Sequence, residues 1–305
     1  MTTYVVPIDF PSVQEAIKHA TSGDTIEILG GTFDGFNVNK DRLKIIGSGV
    51  GKTIILGRVG YEKCGITIAG TQTNLHSLSV RGFQTGVRLT SDNNVIQEVE
   101  ASYNTNGFTV ESKSNLLTKT FATFNQENGY VMEGTFNSLS GNEAKQNSIG
   151  FLNLQSNNHF LNNLAKHNRL TGLSFMFGTG NIAFENTVQK NKIGINVTTD
   201  HNHIMDNKVC DNTAVGIQIV GEKGFPNGNL VDWNIVRNNG TEGDVDNAGF
   251  FVSLESGTTS PNSIRYNKIR NNVELDINTQ GEVGHNIFNN NKCDKCDPPN
   301  TSNLY

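Results

Sequence analysis

Counting from Gly65, a glycine that opens an apolar-x-apolar triplet returns every 21 or 22 residues, at Gly86, Gly107, Gly129, Gly150, Gly172, Gly194 and Gly216. The next, Gly249, arrives after 33 residues. A unit this short cannot bury a core alone, so neighbouring units must stack into a solenoid. The period therefore constrains the fold more than any other feature, and the one irregular interval marks where function is to be sought.

Aligned on the glycines, the repeats share three features. The first is Gly-apolar-x-apolar, as in Gly107-Phe-Thr-Val, Gly194-Ile-Asn-Val and Gly216-Ile-Gln-Ile. Eight or nine residues later, an asparagine precedes a second apolar stretch, at Asn94, Asn115, Asn137, Asn158, Asn181 and Asn202. At 18 or 19 stands another column, Asn104, Asn125, Asn147, Asn168, Asn191 and Asn212; five residues before it, the later repeats add Asn142, Asn163, Asn186 and Asn207. Alternation over three or four residues signals a strand, because successive side chains point to opposite faces. Three short strands per unit, separated by turns, describe one coil of a parallel β-helix. Asparagine suits the corners because it tolerates left-handed backbone and bonds nearby main chain. With coils about 4.8 Å apart, each column becomes a hydrogen-bonded ladder. Leucine-rich repeats share the period, but their Leu-x-x-Leu-x-Leu pattern is missing.

The open ends of a solenoid expose strand edges that need cover. Ser12-Val-Gln-Glu15 after Pro11 reads as a capping box, and Val13, Ala16, Ile17 and Ala20 form one apolar stripe. A short amphipathic helix over the first coil is expected. Phe10 to Ile17, Gly23-Asp24-Thr25-Ile26 and Gly31-Thr32-Phe33 resemble the N-terminal segment of the pectate-lyase-like, right-handed parallel β-helix superfamily. The resemblance covers nearly the whole chain. It implies an all-β, single-domain right-handed solenoid: a cap over 1–23, the β-helix over 24–292 and a polar tail over 293–305. That superfamily includes polysaccharide lyases, hydrolases, epimerases and non-enzymes, so architecture is implied more narrowly than activity.

Net charge of −5 and the lack of a basic run argue against a nucleic-acid partner. No apolar stretch approaches membrane-spanning length. Residues 1–10 lack a signal-peptide pattern, so either no leader is used, as in a cytoplasmic, spore- or phage-associated protein, or a leader has been removed. Cys64 and Cys210 lie many coils apart and read as thiols. Cys293-Asp-Lys-Cys296 lacks a second pair for zinc and reads as a local disulfide or two free thiols.

Some motifs fail on context. Gly47-Ser-Gly-Val-Gly-Lys-Thr53 has the wrong spacing for a phosphate loop and is followed by a strand pattern, not a helix. Asp200-His-Asn-His203 with Asp206 contains a ladder asparagine, Asn202, and two histidines that register places on the surface. Asn196-Val-Thr198 and Asn239-Gly-Thr241 match glycosylation sequons.

In the superfamily resembled, the strand after the glycine forms the floor of the substrate groove. Its outward positions here include Arg88, Glu111, Glu133, Asn196, Thr198 and Gln218. Glu111 and Glu133 share a column, one coil apart, and suggest either a calcium site or an acid–base pair; Arg88 and Lys113 could instead simply neutralise them. The second candidate is the irregular interval, with insertions at 221–228, 240–247 and 254–261 that register places along one sheet. They gather Glu222, Lys223, Phe225, Glu242, Asp244, Asp246 and Glu255 beside Gln218 and Phe251. Glu242, Asp244 and Asp246 offer oxygen ligands for calcium. Lys223 and Arg88 are the candidate bases for uronate chemistry; Gln218, Phe225, Phe251, Glu222 and Glu255 are the candidate sugar contacts. The expected function is carbohydrate engagement, as a calcium-dependent lyase or a related uronate-active enzyme. The alternative is a non-catalytic glycan-binding or structural surface, spore or phage-tail component, monomeric or homotrimeric. The signature segments of the epimerases and galacturonases are not evident.

Overall fold

Three parallel strands per coil follow from the alternation, and the coils repeat with the predicted period. The computed structural model describes residues 1–57, 63–221, 226–241, 247–254, 261–281 and 286–297. These fall into two compact units, 1–148 and 149–305. No described helix is long and apolar enough to cross a membrane.

In the first unit, Thr3–Val6 pairs in parallel with Thr25–Ile28, so the cap segment contributes a strand as well as a helix. The helix Val13–His19 is N-capped by Ser12, whose Oγ accepts from the Glu15 amide at 3.2 Å. It buries Val13, Ala16 and Ile17, followed by Ala20 at its C-cap, which is the predicted stripe. The Asp24 carboxylate ties these elements together by accepting from Thr2 N at 2.6 Å and from Thr21 N and Oγ1, both at 2.8 Å. Those hydrogen bonds, the one from Thr2 first, hold its pKa below the ordinary value. Post-glycine strands Phe36–Val38, Cys64–Ile68, Thr85–Leu89, Asn106–Val110 and Asn128–Met132 pair in succession. Segment 47–53 leads into the strand Thr53–Leu56, as its spacing required.

In the second unit the post-glycine strands are Ile149–Asn153, Thr171–Phe175, Ile193–Val197, Val215–Gly221, Ala248–Leu254, Leu275–Gly281 and Cys296–Asp297, again paired in order. The tail thus adds a strand at 296–297, and Cys293 and Cys296 form a disulfide. Phe151, Phe160 and Phe175 pack edge to face inside.

The asparagine columns are ladders, but not for the whole of the predicted reason. The left-handed backbone belongs to the residue before most of the ladder asparagines. Tyr103, Phe124 and Gln146 precede Asn104, Asn125 and Asn147; Glu185, Asp206 and Trp233 precede Asn186, Asn207 and Asn234. The ladder asparagines themselves are buried. Within each unit they donate the backbone N–H to the Oδ1 of the asparagine one coil on, as in Asn104 to Asn125 at 3.0 Å in the first, and Asn186 to Asn207 and Asn207 to Asn234, both at 2.9 Å, in the second. Burial of so many amides is tolerable only because their donors and acceptors are satisfied. One ladder ends on Asp276, whose Oδ1 accepts from Asn272 N and Nδ2 while Oδ2 accepts from Asp294 N and Lys295 N. A carboxylate fits there because every group facing it is a donor.

The repeating glycine also has a steric cause. A Cβ at Gly86 would stand 2.7 Å from Gly107 O and 2.8 Å from Asn104 Nδ2; one at Gly216 would stand 2.5 Å from Gly249 O and 2.8 Å from Asn239 Nδ2. The glycine lets one coil's backbone lie against the next coil and its own ladder amide.

Candidate functional site

The outward face of the post-glycine sheet carries the predicted residues that fall within the described regions. In the first unit, Thr67, Arg88, Thr109 and Val131 form one outward row. Arg88 reaches diagonally out of its row to Glu111, with Nε to Oε1 at 2.6 Å and a nitrogen of its terminal pair, Nη2, to Oε2 at 2.8 Å. The Glu111 hydrogen bonds hold the Arg88 guanidinium above its ordinary pKa. Glu111 and Glu133 follow the register partners Val110 and Met132, as expected. With both Glu111 oxygens accepting from Arg88, the sheet face carries an ion pair across two rows, beside the exposed Glu133. Lys113 lies 3.8 Å from Asp92 and takes no part in this pair.

In the second unit the outward row is Leu152, Ser174, Asn196, Gln218, Phe251 and Asn278. Its centre is a directional chain: Gln218 Nε2 donates to Asn196 Oδ1 at 2.6 Å, and Asn196 Nδ2 donates to Ser174 Oγ at 3.1 Å. Among the described residues no donor reaches Gln218 Oε1, and the half-buried Phe251 is its register neighbour. The strands here lengthen from five residues in Ile193–Val197 to seven in Val215–Gly221, Ala248–Leu254 and Leu275–Gly281. The insertions adjoin those strands in the chain. Glu222, Lys223, Phe225, Glu242, Asp244, Asp246 and Glu255 lie outside the described residues. Among the described residues no group of three or more His, Cys, Asp or Glu side chains could hold a metal ion.

Asn202 is a buried ladder residue, while His201 and His203 are exposed. Asn239 is buried and bonded to Asn272, so the folded protein withholds that sequon from modification. Cys64 and Cys210 are free thiols, and burial raises the Cys210 pKa. Two exposed ring stacks escaped the sequence reading, Tyr103 on Phe124 in the first unit with ring centroids 5.3 Å apart and Trp233 on Tyr266 in the second with ring centroids 4.6 Å apart. The separation of 33 residues between Trp233 and Tyr266 matches the irregular glycine interval, and that match was the available signal.

Residues 64–205 match the family model described as right handed beta helix region. No curated protein sequence matches the chain. Among solved structures, the Azotobacter vinelandii mannuronan C-5 epimerase AlgE6 A-module is 14% identical with a TM-score of 0.66, over 92% of this chain and 93% of that one. A mannuronic acid specific polysaccharide family 6 lyase from human gut microbiota is 14% identical with a TM-score of 0.61, over 95% and 87%. The enzymatically active domain of bacteriophage CBA120 tailspike protein 2 is 12% identical with a TM-score of 0.57, over 92% and 42%. At these identities the likeness is one of fold.

Proposed function

We propose that this chain, a right-handed parallel β-helix, binds a polysaccharide across the post-glycine sheet of its second unit, with Gln218 and Phe251 at the centre of the contact. One observation carries the reading. The hydrogen-bonded row Gln218–Asn196–Ser174 fixes a side-chain amide beside an aromatic ring, in the coils where the strands lengthen. A fixed amide can exchange hydrogen bonds with sugar hydroxyls, and a ring face covers the apolar face of a pyranose. The neighbouring folds described as epimerase, lyase and tailspike support a saccharide as the ligand class.

A lyase or epimerase reading is the second one, favoured by the two neighbours that act on mannuronate polymers. It needs a base and charge neutralisation beside the bound uronate. Arg88 is committed to Glu111, which leaves Lys223 as base and Glu242, Asp244 and Asp246 as ligands of a calcium ion in this proposal.

The test is affinity electrophoresis through gels containing polygalacturonate, alginate or a neutral glucan, run beside absorbance at the unsaturated-uronate band with and without calcium. Retardation by at least one polysaccharide is expected, weakened about tenfold by Gln218→Ala or Phe251→Ala. Unretarded migration in all gels would overturn the binding reading. A calcium-dependent absorbance rise lost in Asp244→Ala would establish the lyase, and no rise on any uronate would remove it for those substrates.

A further inference from the structure

A second surface has the chemistry of a sugar site and lies away from the post-glycine sheet. It is the corner between the two strands that follow each post-glycine strand. Going up the second unit, the corner column reads Glu185, Asp206, Trp233, Tyr266 and Asn290, all with left-handed backbone. That conformation projects the residue outward, and Trp233 and Tyr266 remain 57% and 39% exposed despite stacking on each other at 11° between planes. Exposed indole and phenol rings on a rigid corner have no role in the core.

The stack stops at Tyr266, because the next corner residue is Asn290. There the surface opens into a groove of about 620 Å³ lined by Trp233, Ile235, Tyr266, Lys268, Asn290 and Lys292. The strand beyond the corner sets Lys208, Ile235, Lys268 and Lys292 in one register column. Among the described residues neither Lys268 nor Lys292 forms an ion pair. The strand before the corner carries Asp232, already neutralised by Arg265 through contacts of 2.8 and 3.3 Å. Asp206, one coil below Trp233, bounds the positive surface on that side. On a chain of net charge −5, two ammonium groups one coil apart beside a ring stack, with no ion pair among the described residues, form a local exception.

We propose that this corner groove binds an acidic saccharide, with a pyranose face continuing the ring stack at Tyr266 and the sugar carboxylates paired with Lys268 and Lys292. Ring stacking selects a flat sugar face, and adjacent ammonium groups select a polymer carrying one carboxylate per residue. The proposal rests on the reading that the protein engages polysaccharide, but not on the sheet site.

Trp233 is the single tryptophan of the chain, so its emission reports on this groove alone. The experiment titrates the full-length protein with oligogalacturonate and oligomannuronate, and with the same oligosaccharides after carboxyl reduction. A saturable change in emission is expected with an acidic oligosaccharide, weakened by salt. Lys268→Gln and Lys292→Gln should each weaken it about tenfold, being exposed substitutions that leave the core intact. Tyr266→Ala should do the same through loss of the stacking face. The result that overturns the proposal is an emission unmoved by either acidic oligosaccharide, or moved equally by the reduced ones, or lysine variants that bind as the parent does. Emission that tracks protein concentration, with matching self-association in sedimentation, assigns the corner to a contact between copies and also overturns it. A gel shift sensitive to Gln218→Ala with a silent Trp233 removes this site and keeps the sheet. A Trp233 response with the gel shift insensitive to Gln218→Ala and Phe251→Ala removes the sheet and keeps this site.

Discussion

Asn207 tests what the ladder contributes. Its Oδ1 accepts from Asn186 N and Nδ2, both at 2.9 Å, and its own Nδ2 donates to Ala183 O and Asn234 Oδ1, both at 3.0 Å. Asn207→Ala deletes these four bonds and leaves the buried Asn186 N–H with no acceptor. At about 1 kcal/mol of net stabilisation per buried hydrogen bond, the loss is roughly 4 kcal/mol. The exposed neighbour Asp206, which holds the left-handed position at φ 55°, provides the control; Asp206→Ala is expected to cost about 1 kcal/mol for the backbone conformation alone. Asn207→Asp separates geometry from charge. It keeps the shape but cannot donate, so its carboxylate would face two acceptors, Ala183 O and Asn234 Oδ1. Burial and those acceptors raise its native pKa above the ordinary 3.9 or so. The native state then binds more protons than the unfolded state, and stability relative to the parent falls as pH rises from that value through the raised native one. Urea unfolding followed by circular dichroism, with hydrogen exchange at the Asn186 amide, reads both effects. An Asn207→Ala cost under about 1 kcal/mol with unchanged Asn186 protection would refute the reasoning.

Other expectations follow from single contacts. Gly216→Ala should destabilise by about 2 kcal/mol, since its Cβ would press on Gly249 O and Asn239 Nδ2 in a packed stack; an unchanged urea midpoint would sink this account. Asp24, held below the ordinary value near 3.8 by the Thr2 and Thr21 hydrogen bonds, should stabilise fully above that value. The contribution is lost as pH falls through the depressed native pKa, so Asp24→Asn should flatten the acid limb of the stability curve. Arg88→Ala should change stability by less than about 1 kcal/mol, because the Arg88–Glu111 pair is 42% and 29% exposed at its side chains; a larger shift in urea midpoint would show the pair to be structural.

Much of the fold was legible because the repeat encodes it. The glycine period set the coil, the alternation at Ile195 and Val197 set the inward face, and Val13, Ala16 and Ile17 marked the helix. The ladders were legible as columns, yet their geometry was not: the strained backbone falls on residues such as Phe124 or Trp233, types that give no turn signal, while the asparagine that follows is buried. The strand Thr3–Val6 was hidden because it precedes the first repeat. Asp276 was hidden because an aspartate that ends a ladder breaks the column's residue type. Gln218 and Phe251 were found by counting from the glycine, and their places in one row follow from that count. Trp233 and Tyr266 required the same count across a coil whose length had changed.

Taken alone, the sequence determined the period, the inward and outward alternation and the three polar columns, because each depends only on residue type at a fixed offset along the chain. Tertiary structure decided which outward side chains meet. Arg88 bonds Glu111 across a coil boundary and off its own row, and Trp233 faces Tyr266 only after a 33-residue circuit. Such contacts depend on coil length, pitch and side-chain reach together, and only the stacked coils hold all three at definite values.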